Sequence, residues 1–170
     1  MNSRPRKNPS KSKNTEPSSP ERARQYALRL LAARDYTIAQ LKQKLRLRDF
    51  TEADLDQAVS RLESESWISD RRFAQRFAES ALASGRFYGL RLRMEMLRRG
   101  FPEEIVSEVI GLLSVDCDED EQAALALERH FPSFSFATAS DREKRRALGF
   151  LQRRGFRASV IMRAMRAEYS

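Results

Sequence analysis

The chain has one cysteine, Cys117, and one histidine, His130. A lone cysteine excludes an intrachain disulfide framework and a redox dithiol, and it fits a reducing compartment. A lone histidine excludes a two-histidine zinc helix, and the two residues together cannot build a His/Cys cage. Six Gly and six Pro in 170 residues are few for a loop-rich fold. No apolar run approaches the roughly 20 residues of a transmembrane helix. No apolar stretch follows the basic start, as a signal peptide would need. A soluble, cytoplasmic protein without a membrane partner is expected. Gly-rich phosphate loops and Walker patterns are missing. Cys117 sits in an acidic run, which raises a thiol pKa rather than activating it. His130, before Phe131-Pro132, suits a helix C-terminus. With nothing to activate a nucleophile or hold a cofactor or metal, the chain reads as a non-enzyme.

What the chain does have is charge, 33% of residues, with a net of +8. Half of that net lies in residues 1–20, where Arg4, Arg6, Lys7, Lys11 and Lys13 face one acid, Glu16. This segment is otherwise Ser, Pro, Asn and Thr, with only Met1 apolar, and cannot bury enough to offset its ordering entropy, so it is expected to be disordered. It reads as a solubilising tail or a nucleic-acid-attracting arm. Residues 116–140 hold six acids and one Arg, and residues 141–170 hold nine bases and three acids. The acids Asp116, Asp118, Glu119, Asp120 and Glu121 lack the spacing of a calcium loop and suit a helix N-terminus.

From residue 21 onward the apolar residues recur near every 3.6 positions, which predicts an all-α protein. Ser19-Pro20-Glu21 is a helix start, Thr37 to Gln40 a capping box, and Thr51 with Asp54 a third start. Ser69-Asp70 opens the next helix, Gly85 and Gly89 bracket a connection, and Gly100 ends a helix beginning near Leu90. Asp118 to His130 and Asp141 to Arg154 follow, the latter ending at Gly155. The joints before Phe50, Phe101 and Phe156 resemble one another, with Phe spacings of 51 and 55 residues. That period predicts a tandem repeat of three three-helix units, elongated or curved: a tail at 1–20, then units at 21–66, 67–115 and 116–170. Trp67-Ile68 precedes the cap Ser69, and Trp67 is expected to act as a hydrophobic staple between helices.

Each joint is basic. Lys42, Lys44, Arg46 and Arg48 surround the first; Arg86, Arg91, Arg93, Arg98 and Arg99 the second. Arg142, Lys144, Arg145, Arg146, Arg153, Arg154 and Arg157 surround the third. One such cluster is accounted for by a solvated helix face with local carboxylate pairs, or by bases complementing a helix C-terminus. Three in equivalent places favour a binding surface. Arg dominates after residue 44, as suits bidentate contact with phosphate or carboxylate. Either nucleic-acid phosphate or an acidic protein groove would serve.

The stretch Arg61 to Ala74 (RLESESWISDRRFA) resembles the signature of the bacterial RecX regulators. Gly89 to Phe101 is similar to that family's second element, although the usual Pro is absent, Met96 replaces a Leu and Phe101 an aliphatic residue. The likeness covers about residues 22–113 and is looser in the third unit, which carries an insert from Phe131 to Ala139. It implies a modulator, usually an inhibitor, of the RecA recombinase in DNA repair and the SOS response. Such proteins lodge in the groove of the RecA–single-stranded DNA filament and depress ATP hydrolysis, strand exchange and co-protease activity. Arg71 and Arg72 are the exposed residues of the signature, and Arg72 matches the family Arg. The expected contact residues are therefore Arg71, Arg72, Arg86, Arg91, Arg93, Arg98, Arg99, Arg145, Arg146, Arg153, Arg154 and Arg157, acting in a monomer. Two other readings stay open: a sequence-tolerant helical DNA-binding protein, and a helical adaptor for another acidic protein.

Overall fold

The computed structural model describes residues 17–116 and 118–167; Cys117 and residues 1–16 of the expected tail lie outside them. The described residues form nine helices and no strand. They are α1 (Pro20–Leu31), α2 (Ile38–Arg46), α3 (Glu52–Ser64), α4 (Asp70–Ala83), α5 (Gly89–Arg98), α6 (Glu103–Asp116), α7 (Glu119–His130), α8 (Asp141–Arg154) and α9 (Ala158–Arg166). The all-α reading of the sequence holds.

The starts follow from capping chemistry. Ser19, Thr51 and Ser69 each accept a backbone N–H from the first turn of the helix they precede. Thr37 with Gln40, and Ser140 with Glu143, form reciprocal capping boxes. Each cap satisfies N–H groups that no helical carbonyl can reach, worth about 1 kcal/mol. Residues 17–20, assigned to the tail, are part of the fold. Ser18 bonds Asp54 and accepts from Thr51 N–H, Ser19 caps α1, and Pro20 is its first residue.

Three buried clusters correspond to three groups of helices. Ala23, Ala27, Leu41, Leu45, Leu55 and Leu62 centre the first, from α1 to α3. Ala74, Ala78, Leu92, Met96 and Val106 centre the second, from α4 to α6. Ala123, Leu127, Leu151, Val160 and Ile161 centre the third, from α7 to α9. Alanines on α1, α4 and α7 let the first and third helices of each group approach closely, and each buried leucine contributes roughly 1.5–3 kcal/mol.

The joints recur in three dimensions. The N–H groups of Phe50, Phe101 and Phe156 donate to the carbonyls of Leu45, Met96 and Leu151 at 3.4, 3.3 and 3.3 Å. The residue before each Phe is left-handed: Asp49 at φ +62°, Gly100 at +83°, Gly155 at +102°. That backbone closes a helix and suits glycine, with aspartate among the tolerated exceptions.

Trp67 departs from expectation. It is 59% exposed, and Ile68 beside it fills the first core instead. Ser66 at φ +61° turns the chain so that these neighbours face opposite ways.

Candidate functional site at the second junction

Neighbouring groups meet through ends of their middle helices. At the first junction the Thr37 hydroxyl, at the start of α2, donates to the carbonyl of Arg99 at the end of α5, 3.0 Å away. Asp70, in the first turn of α4, accepts the N–H of Ile38 at 2.9 Å, so one carboxylate serves two helix starts. Burial pushes this carboxyl above its usual pKa, against the opposing Ile38 hydrogen bond. At the second junction Tyr88, at the start of α5, donates its N–H to the carbonyl of Arg154 at the end of α8 (2.7 Å). Its ring stacks on Phe156 at 4.1 Å, and its hydroxyl bonds the Leu82 carbonyl and Gln122. In both cases orphan carbonyls of a helix C-terminus take donors from a helix N-terminus, which aligns the two dipoles.

The same geometry explains part of the basic joints. Arg48 lies over the Tyr26 ring at 5.0 Å, Arg99 over Phe77 at 4.5 Å and Arg154 over Phe150 at 4.1 Å. One arginine per joint is thus a cation stacked on a ring, worth about 0.5–1 kcal/mol where exposed. Arg154 also donates to the Gly85 carbonyl across the junction. Its pKa falls below the usual arginine value, first from burial, with Arg153 and Arg86 nearby adding to the effect.

The remaining expected residues divide by partner. Arg71 pairs with Glu108, joining α4 to α6, and Arg72 donates to the Ser66 carbonyl and braces that turn. Arg93 bonds Glu103 at 2.7 Å and Ser107 at 3.0 Å. Arg98 and Arg99 converge on Glu95, which is 5% exposed and whose carboxyl the Arg98 guanidinium holds below the usual range. Arg157 pairs with Glu119, and Arg146 lies 5.7 Å from the Phe131 ring. Arg86, Arg91, Arg145 and Arg153 are exposed, and their guanidiniums have no hydrogen-bond or carboxylate partner among the described residues.

Three of these four come together. Arg86 and Arg153 both lie near Arg154. Arg91 flanks Gly155, where an added Cβ would sit 2.5 Å from the Arg91 Cβ. Arg145 is two turns from Arg153 on α8, on the same stripe. The second junction therefore presents uncompensated guanidiniums supplied by two groups of helices. Leu90 and Met94 adjoin it on α5, 71% and 55% exposed. The sequence reading did not select them. They sit four residues apart, offset by two from the buried pair Leu92 and Met96, and that spacing marks an apolar pair on the outer face.

Elsewhere, His130 stacks face to face on Phe150 at 4.1 Å and edge-on to Phe131. The described residues hold no cluster of metal-ligating side chains, and no helix among them is long and apolar enough to cross a membrane.

Three-helix units in series, with arginine and aliphatic side chains exposed at their junction, define a helical-array protein. Two family models match, "RecX, first three-helix domain" over residues 23–62 and "RecX, third three-helix domain" over residues 118–165. The chain is 42% identical over 135 residues to the regulatory protein RecX of Trichlorobacter lovleyi, covering 79% of this chain and 88% of that protein. It is 40% identical over 142 residues to the regulatory protein RecX of Thermus thermophilus, covering 83% and 88%. A crystal structure of RecX from Lactobacillus salivarius shares the fold, with a TM-score of 0.69 at 16% identity over 86% of this chain and 94% of that one. The chain belongs to the RecX family of regulatory proteins.

Proposed function

We propose that the chain is a negative modulator of the RecA recombinase. It binds as a monomer in the groove of the RecA–single-stranded DNA filament in the cytoplasm. There it depresses ATP hydrolysis, strand exchange and co-protease activity. The observation that carries this reading is the second junction. Arg86, Arg91 and Arg153 lack carboxylates and lie beside exposed Leu90 and Met94. Arginine with aliphatic surface is the composition of a protein contact, whereas phosphate alone would leave Leu90 and Met94 without a role. Family membership points the same way. A helical array can also touch successive protomers of a filament, and small contacts then add through effective concentration.

The test is steady-state ATP hydrolysis by the host recombinase on single-stranded DNA, with this protein titrated in below stoichiometry. The wild type suppresses hydrolysis at substoichiometric ratios. Combined Arg91→Glu and Arg153→Glu raises the half-inhibitory concentration at least tenfold, about 1.4 kcal/mol, with unchanged helicity. Suppression that appears only once the DNA is saturated makes the protein a competitor for phosphate. Equal potency of the double variant removes the second junction from the contact.

A further inference from the structure

We propose that the phenylalanine-lined cleft of the third helix group docks a short acidic segment of a partner protein, one that carries a bulky apolar side chain among its carboxylates. This surface is separate from the filament contact at the second junction and does not depend on it. Lys144, at the cleft, stands in the first turn of α8, whereas Arg153, at the junction, stands in the last. The cleft is built by the segment that joins α7 to α8. Phe131, Phe134 and Phe136 of that segment pack against the third core and stay half-buried. With Leu127, Glu128 and Arg166 they line an opening of about 600 Å³, a size at which ligand sites are found.

Phe136 sets this cleft apart. Lys144 of α8 lies 4.7 Å from its ring centroid, and Arg166 of α9 lies 5.6 Å from it. Among the described residues no other ring carries two cations. Neither side chain has a hydrogen-bond or carboxylate partner among those residues. Arg99 and Arg154, each stacked on a ring of its own, have Glu95 and the Gly85 carbonyl respectively. A ring attracts a cation without neutralising it. Two like charges held at one ring repel each other, and an anion placed beside them relieves that repulsion.

Charge and shape together select the occupant. A small inorganic anion would leave the phenylalanine wall uncovered. A nucleic-acid strand would need flat ring faces for its bases. Phe136 is taken up by its two cations, and Phe131 meets His130 and Phe150 edge to face. Glu128, in the same wall, also opposes a continuous row of phosphates. A short peptide can set carboxylates at Lys144 and Arg166 and one apolar side chain against the rings, away from Glu128. An apolar anchor in a pocket with a charged rim is the usual build of a protein contact.

The test is fluorescence anisotropy of a labelled peptide in which aspartate alternates with leucine and phenylalanine, titrated with the full chain. It binds saturably, whereas the same peptide with serine at the apolar positions, or lysine at the acidic ones, does not. Combined Lys144→Gln and Arg166→Gln raises the Kd about fivefold, and Glu128→Gln, which removes the opposing charge, lowers it about twofold. Circular dichroism of each variant reports folding. The combined Arg91→Glu and Arg153→Glu variant binds the peptide as the wild type does, so failure at one surface is distinguishable from failure at the other. No saturable binding by the wild type, or an unchanged Kd in the Lys144/Arg166 variant, overturns the proposal. Equal binding of the serine peptide does so too, since charge alone would then suffice. Displacement of the bound peptide by equimolar oligo(dT) assigns the cleft to nucleic acid. Peptide binding seen only in a chain ending at Ala167 assigns it to the chain's own last residues, and either result overturns the partner assignment.

Discussion

Replacing Gly155 by alanine separates the third helix group from the second. At φ +102° a Cβ is strained wherever it points, at roughly 1–2 kcal/mol. Here it also points into the junction. It would lie 2.5 Å from the Arg91 Cβ, 3.2 Å from the Arg91 nitrogen, and closer still to the Tyr88 carbonyl oxygen. Backbone and a Cβ cannot rotate away, so the groups must part. Parting them breaks the Tyr88–Arg154 hydrogen bond, about 1 kcal/mol, and the Tyr88–Phe156 stack, about another 1 kcal/mol. The expected loss is about 3–4 kcal/mol, concentrated in the coupling between groups rather than within one core. Stacked repeats behave as units with interface terms, so loss of one interface splits the transition. Urea unfolding followed by circular dichroism then shows an early phase in the variant. Fluorescence of the single tryptophan, Trp67, at the start of the second group, keeps its wild-type midpoint. Two other glycines set the scale. Gly100→Ala meets the Ala39 Cβ at 3.1 Å and the Thr37 hydroxyl at 3.4 Å and is milder. Gly111→Ala, inside α6 with nothing within 4 Å, stabilises by about 0.5–1 kcal/mol. Wild-type transitions by both probes in the Gly155 variant would refute this account of the junction.

Three further perturbations follow from the burial pattern. Glu95→Gln lowers stability at pH 7, because Arg98 and Arg99 lose their carboxylate. Glu95 has a folded pKa below its ordinary 4.5, so its contribution is complete above that value and fades as acid protonates it; denaturation at stepped pH shows the gap closing below about pH 4.5. Asp70→Ala leaves the Ile38 N–H without an acceptor and costs about 1–3 kcal/mol. Asp70→Asn keeps the acceptor, and the raised folded pKa means that the charged form opposes folding. The asparagine variant is therefore at least as stable as wild type at neutral pH, and any advantage disappears as pH falls and Asp70 protonates. Trp67→Ala changes stability by less than about 0.5 kcal/mol, since a surface side chain is removed. Ile68→Ala costs about 2–5 kcal/mol from the same chemistry applied to a core; equal effects in thermal melts would contradict the assigned orientations.

Helices and caps were legible because each is a local matter. Ser19, Thr37, Thr51 and Ser69 act within three residues of themselves, and the joint phenylalanines recur because one turn is built three times. Orientation at Trp67 was not legible. Which of two adjacent apolar residues turns inward depends on the left-handed backbone of Ser66, a residue type that rarely marks such a turn. The arginines show the same division. Sequence placed them in clusters, but whether a given one stacks, pairs or stays open depends on residues outside its cluster. Arg71 is matched by Glu108 and Arg157 by Glu119, both across helices. Arg86, Arg91 and Arg153 have no carboxylate partner among the described residues, and the junction beside them is closed by the Gly85 and Arg154 carbonyls and the Tyr88 and Phe156 rings.

The left-handed position of each joint also reflects what packs against it. Gly100 and Gly155 each receive the start of a preceding middle helix, and in both places a Cβ would press on that neighbour. Asp49 has the same backbone sign, but among the described residues no other helix group packs against the joint it occupies. With no neighbour to admit, the requirement for glycine relaxes to the milder one of tolerating positive φ, which aspartate meets. The joint that lacks such a neighbour among the described residues is also the one whose stacked arginine, Arg48, has no counterpart of Glu95, with Lys44 in that place. Freed from packing against another helix group, the first joint keeps its ring and its cation and loses the groups that would neutralise them.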